Sequence, residues 1–211
     1  MSKPLVILGA GGHANVLAET LQDQGRSILG VLAPEPFIGS DVLGIPIIGD
    51  DSWLSGRDSD SIWLVNGLGS IGVTHARRKL FEHFSLLGYR FSSVIHTSAV
   101  ISRSAFLEEG VQVLAGAVIQ TGSRIARNAI VNTGAIIEHD TWVGEHAHVA
   151  PGVTLSGNVR IGDGAHVGTG ATVIQGVQIG SHSIIGAGAV VIADVPPGAT
   201  VVGVPARPLA P

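Results

Sequence analysis

From residue 95 to residue 191 every sixth residue is Ile, Leu or Val, beginning Ile95, Ile101, Leu107, Val113 and ending Ile179, Ile185, Val191. Four residues after each aliphatic stands a small or β-branched residue, Ala99, Ala105, Val111, Ala117, and so on to Val195. Neither a helix of 3.6 residues per turn nor a strand alternating every second residue produces a strict period of six over a hundred residues. A hexapeptide period marks a parallel β-helix: each hexapeptide forms one short side of a triangular prism, and three make a coil of 18 residues. The aliphatic points inward and stacks on its equivalents one coil above and below. At ~4.8 Å between neighbouring strands, nearly six coils give a prism roughly 27 Å long.

The first ninety residues follow another rule. "PLVILGAG" is a short apolar run ending in glycine, the pattern of a buried strand. "HANVLAETLQDQG" has helical spacing, with Val16, Leu17 and Leu21 on one face and Gly25 as its stop. "SILGVLA" and "SIWLVNGLG" are further strands, and a helical stretch from about Ile71 to Leu87 ends before Gly88. Strands alternating with helices predict a small parallel α/β sheet. The expected organisation is residues 1–93 as a Rossmann-like α/β domain, 94–196 as the β-helix, and 197–211 as a C-terminal tail.

Composition narrows the classes. Charged residues are 13% of the 211, against ~25% in average soluble domains. Glycine is high at 30 residues and aromatics low at 4%, which suits short strands and tight turns. No apolar run approaches the ~18 residues of a membrane helix, so no membrane insertion is expected. The chain has no cysteine, which excludes disulfides, thiolate catalysis and zinc–thiolate sites. No export signal is evident in the N-terminal residues, and a cytoplasmic location is the expectation. With a formal charge of −4 and no basic stripe, nucleic acid is not an expected partner.

The stretch "VNTGAIIEHDTWVGEHAHVAPG" carries the chemistry, with His139, His146 and His148 among three acidic residues. Neutral imidazole suits acceptance of a proton near pH 7, and an adjacent carboxylate orients the ring. His139 and Asp140 therefore stand as candidate base and orienting acid. His146, His166 and His182 read as exterior repeat positions. His146 and His148 at i, i+2 could chelate weakly, but no third ligand is evident, so no metal is expected. Near the N-terminus, "LGAGGHA" places Gly9, Gly11, Gly12 and His13 between a strand and a helix, where backbone approaches phosphate. Ala14 or Asn15 stands where a dinucleotide fingerprint has its third glycine, which favours a nucleotide-diphosphate sugar over NAD. "NGLGS", with Asn66, Gly67 and Gly69, is a second glycine turn facing the same end of the sheet.

"LGAGGHA", seventeen hexapeptides, "AIIEHD" and the closing "VVGVPARP" together resemble the sugar-nucleotide acetyltransferases of the bacillosamine and perosamine type, with the related sialic acid O-acetyltransferases. The resemblance covers essentially the whole chain. It implies an α/β nucleotide-binding-type domain followed by a left-handed parallel β-helix of hexapeptide repeats. It also implies a homotrimer with sites between subunits, acetyl-CoA as co-substrate, and a nucleotide-linked amino sugar as acceptor. His139 matches the family's base and Asp140 the acid that follows it. His148 matches a histidine at the acetyl-CoA thioester, and Gly157, Thr169 and Ala187 match positions lining the pantetheine channel. Arg207, after the last coil, has two readings, a cation meeting the CoA phosphates or a solvated tail residue. Gly9, Gly11, Gly12 and His13 match nucleotide-sugar positions, and Asn132 matches an asparagine near the sugar or serves as a tight-corner residue. Gly67, in the second glycine turn, is read as another wall of the nucleotide pocket. The chain departs from the family in "LAPEP": where two acidic residues commonly stand, it has Ala33 and Pro34, with Glu35 next. Competing readings are O-acetylation of a sugar such as sialic acid, and a non-catalytic trimeric scaffold, which would have no use for His139–Asp140.

Overall fold

The structure, a computed structural model, describes residues 3–34, 40–72 and 75–209. By its internal packing the chain falls into two units. One comprises residues 1–69 with 76–94, the other residues 70–75 with 95–211.

The first unit is a five-stranded sheet. β1 (Leu5–Leu8) is buried along its whole length and pairs in parallel with β2 (Ile28–Leu32) and with β5 (Trp63–Asn66). β3 (Asp41–Val42) and β4 (Ile45–Gly49) form an antiparallel hairpin, and β4 joins β2 in parallel. The order is β3-β4-β2-β1-β5. The hairpin is absent from the sequence reading because its strands are too short to show a period. α1 (Gly12–Asp23) buries Leu17 and Leu21, and Gly25 ends it in the left-handed conformation at φ 63°. α2 (His75–Leu86) buries Phe81 and Phe84. Because β2 and β5 flank β1 on opposite sides, the strand order reverses beside β1. Ligands bind outside the carboxyl ends of the strands at such a point.

The second unit is a parallel β-helix with three flat faces. The first face stacks the strands 94–95, 112–113, 130–131, 148–149, 166–167, 184–185 and 200–202, closed by an antiparallel strand 207–208. The second stacks 100–101, 118–119, 136–137, 154–155, 172–173 and 190–191. The third stacks 106–107, 124–125, 142–143, 160–161 and 178–179. The register is 18 residues throughout, as in Val131 beside Val149 beside Val167. The aliphatics of the repeat and the small residues four places on form one continuous core.

Each edge of the prism turns through a residue with positive φ. Residues 110 to 188, taken every sixth, all lie at φ between 56° and 77°. Most are glycine, which adopts that region freely. Five are not: Asn128, Asp140, His146, Asn158 and His182. His146 is therefore no surface ornament. It is buried, and its Nδ1 lies 2.9 Å from Asn128 Nδ2.

Candidate active site

The expected site residues fall into three groups. The first stands on the edge between the second and third faces. His139 and Asp140 are the two residues of one turn, locked by Asp140 N–H donating to Thr121 O and Asn158 N–H donating to His139 O. His139 Nδ1 lies 2.9 Å from Asp140 Oδ2. A carboxylate only accepts, so Nδ1 carries the proton and Nε2 keeps its lone pair. The pair is half-exposed, so it adds little to stability. Its value is orientation. Gly157, one coil on, lies directly against the ring: a Cβ there would overlap His139 Nε2 and stand 2.6 Å from Cε1. Gly157 has no positive φ, so room for the imidazole, not backbone freedom, is what its lack of a side chain supplies.

The second group lies on and beside the first face. His148 is a strand residue there. It is buried at 6% exposure. Its Nδ1 is 2.8 Å from Ser70 Oγ and its Nε2 is 3.0 Å from Asn132 Nδ2. His166, one coil on, meets its ring edge-on at 5.0 Å. The buried His166 Nδ1 has no hydrogen-bond partner, and burial pushes its pKa below the ordinary value. Thr169 and Ala187 stack on the neighbouring edge between the first and second faces, with Gly188 N–H donating to Thr169 O. Arg207 is exposed in the closing strand. Gly157 is thus apart from Thr169 and Ala187, with the whole second face between them.

The third group belongs to the α/β unit. The turns at Gly9–Gly12 and Asn66–Gly69 follow the carboxyl ends of the adjacent strands β1 and β5. They interlock: a Cβ on Gly67 would lie 2.8 Å from Leu8 O, and one on Gly9 would lie 2.8 Å from Leu68 Cδ2. Gly11 and Gly12 are different. A Cβ on either would meet nothing within 4 Å, and neither has a positive φ. Nothing in the fold demands glycine there, whereas close approach of a ligand to backbone N–H groups at the start of α1 would. His13 packs against Gly69. The second turn is held by Arg77, buried at 1% exposure, which sequence reading missed. Its Nη1 donates to Asn66 O at 3.0 Å and Leu68 O at 2.7 Å, and Asn66 Nδ2 donates back to Arg77 O at 3.0 Å. Burial lowers the guanidinium pKa to about 9, so it stays charged near neutrality. Glu35 lies outside the described residues. Among the described residues no cluster of His, Asp or Glu is suited to hold a metal ion, and no helix is long and apolar enough to cross a membrane.

A hexapeptide prism with an exposed, carboxylate-oriented histidine on its edge, carried in one chain with an α/β unit whose adjacent strands β1 and β5 end in glycine turns, is the combination of the hexapeptide acyltransferases that carry a nucleotide-binding-type domain. Residues 4–84 match the PglD N-terminal domain, and residues 158–193 match the bacterial transferase hexapeptide (six repeats). A histidine-to-asparagine variant of perosamine N-acetyltransferase from Caulobacter crescentus, solved with CoA and GDP-perosamine, is 37% identical. The match covers 100% of this chain and 99% of that one, with a TM-score of 0.92. The acetyltransferase domain of PglB from Neisseria gonorrhoeae, solved with acetyl coenzyme A, is 36% identical over 99% of this chain and 100% of that one, with a TM-score of 0.90. UDP-N-acetylbacillosamine N-acetyltransferase of Bacillus subtilis (strain 168) is 36% identical over 123 residues, 54% of this chain and 52% of that protein. The chain belongs to the bacillosamine/perosamine family of sugar-nucleotide N-acetyltransferases.

Proposed function

We propose that the protein transfers the acetyl group of acetyl-CoA to the amino group of a nucleotide-linked deoxyamino sugar, with His139 as general base, in the synthesis of a surface glycan. The observation that carries this is the His139–Asp140 turn. Proton on Nδ1, lone pair on Nε2 and an exposed ring are what deprotonation of an attacking amine requires. Asp140 stabilises the imidazolium as it forms. The glycine turns at β1 and β5 supply the surface for the nucleotide diphosphate. Both substrates are cytoplasmic metabolites, so the reaction is a cytoplasmic one.

The active unit in this reading is a homotrimer. His139 and Gly157 stand on one edge, and Asn132, Thr169 and Ala187 on the next. Six residues of chain, at most ~20 Å, separate Thr133 from His139 along the second face. Packing copies side by side sets one edge of each against the other edge of its neighbour. Val100 and Ile136 on the outer side of the second face are exposed and apolar, as a surface awaiting a second copy is.

The test is release of CoA thiol from acetyl-CoA with GDP- and UDP-linked 4-amino-4,6-dideoxy sugars, and with free sialic acid. Turnover with a nucleotide amino sugar that is lost in His139→Ala supports the reading and fixes the nucleotide. Turnover with sialic acid alone moves the protein to O-acetylation. Survival of activity in His139→Ala refutes the base.

A further inference from the structure

The outer side of the first face carries Ile130, His148, His166 and Ile184 in register. Strand residues there ordinarily face water, yet His148 is buried. The chain segment that begins at Ser70 packs with the prism. Its Ser70 hydroxyl sits on His148, Gly72 is near Ile184, and His75 meets His182 edge-on with ring centres 6.3 Å apart.

The protonation of His148 follows from its neighbours. Asn132 Oδ1 accepts from Thr133 N–H at 2.8 Å, so the atom facing His148 Nε2 is the amide nitrogen. An amide nitrogen only donates. Nε2 therefore accepts and is unprotonated. The neutral ring carries its proton on Nδ1, where it donates to Ser70 Oγ. Ser70 accepts there, which leaves its own hydroxyl hydrogen unspent. No acceptor for it lies among the described residues, and Ser70 is only half-buried. Both nitrogens of His148 are thus engaged, and the hydroxyl hydrogen of Ser70 is the donor this chain of contacts leaves over.

Resting on the acetyl-transfer reading, we propose that Ser70 donates a hydrogen bond to the acyl oxygen of the thioester, with His148 and Asn132 as positioning residues. As the amine nitrogen adds to the acyl carbon, the carbonyl electron pair moves onto that oxygen. The Ser70 hydroxyl stabilises the charge and keeps its hydrogen. Collapse then breaks the C–S bond and expels the CoA thiolate, which takes the proton that His139 removed from the amine. A free donor fits the oxygen that gains charge. The amine needs an acceptor instead, and His139 supplies one.

The test compares Ser70→Ala and Ser70→Thr in steady-state kinetics, alongside ¹⁵N NMR of the His148 ring in the full-length protein. The expected result is a loss of roughly 10²-fold in kcat for Ser70→Ala, with KM for acetyl-CoA little changed and partial recovery in Ser70→Thr. The His148 spectrum is expected to show the Nδ1-protonated form. Equal losses in the two variants indicate packing alone and overturn the proposal. So does a change confined to KM for the acceptor sugar, or an unchanged kcat. If the wild-type protein turns over no acceptor, it is the functional reading that fails. The ring spectrum then still decides, since an Nε2-protonated His148 contradicts the hydrogen-bond chain.

Discussion

At position 157 the absence of one carbon is what lets the His139 ring lie where it does. Gly157→Ala places its Cβ on the imidazole, not on backbone, so the cheap response is for the ring to swing outward. The expected outcome is a folded protein with an almost unchanged Tm and a kcat lowered on the order of 10²-fold, since displacements near 1 Å carry that cost. A thermal melt beside an acetyl-transfer assay checks both halves. His166 leads to a prediction about pH. Burial lowers its folded pKa below the ordinary 6.5, so in acid the unfolded chain binds a proton that the folded chain refuses. Stability is therefore retained above 6.5 and lost as pH falls below it. His166→Gln removes the titration, and its Tm advantage over the wild type should widen steadily on acidification. A difference that stays constant with pH would show that His166 is not held neutral.

Along an edge of the prism the turn is the unit, and each turn asks for one left-handed residue. A side chain there costs ~1–2 kcal/mol, against ~0.5–1 kcal/mol of extra chain entropy for glycine. Among the described residues His182 has only a distant edge contact of its side chain with His75 to offset that, so His182→Gly should raise stability by up to ~1 kcal/mol without affecting transfer. His146→Gly should lower it, because the buried contact with Asn128 is lost. Asp140 separates function from folding: Asp140→Gly should melt no lower than wild type yet lose activity, the expected pattern where strain is kept for chemistry. Denaturation curves and turnover of the three variants decide this. The same turns mark how far sequence reading reaches. The period of six is legible because every interior position obeys it. The pairing of His139 with Asp140 is legible because both lie in one turn. The burial of His148 is not, because its cover arrives from Ser70, 78 residues upstream. Nor is the role of Gly157, because nothing in a linear pattern says which ring lies one coil away. Arg77 looks like any helix-surface cation until both carbonyls it serves, Asn66 O and Leu68 O, are seen beneath the glycine turn.

In the whole molecule the candidate residues are divided between two edges, and this division leads to a prediction that an undivided site would fail. In the proposed closed ring of three copies, each site would take His139 from one chain and the Ser70–His148–Asn132 group from its neighbour. A homotrimer of His139→Ala has no base in any site. A homotrimer of Ser70→Ala lacks the hydroxyl donor in every site. Refolding the two variants together forms mixed rings. Reading around any mixed ring, there is one junction at which an intact His139 edge meets an intact Ser70 edge. Equal mixing by chance therefore restores roughly a quarter of wild-type activity. If each chain instead held a complete site, every site would carry one of the two lesions and mixing would restore nothing. Co-refolding, confirmation of the trimer by sedimentation, and one rate measurement distinguish the two outcomes. Ile136→Glu, which places a charge on the apolar second face, should abolish the restored activity together with the trimer.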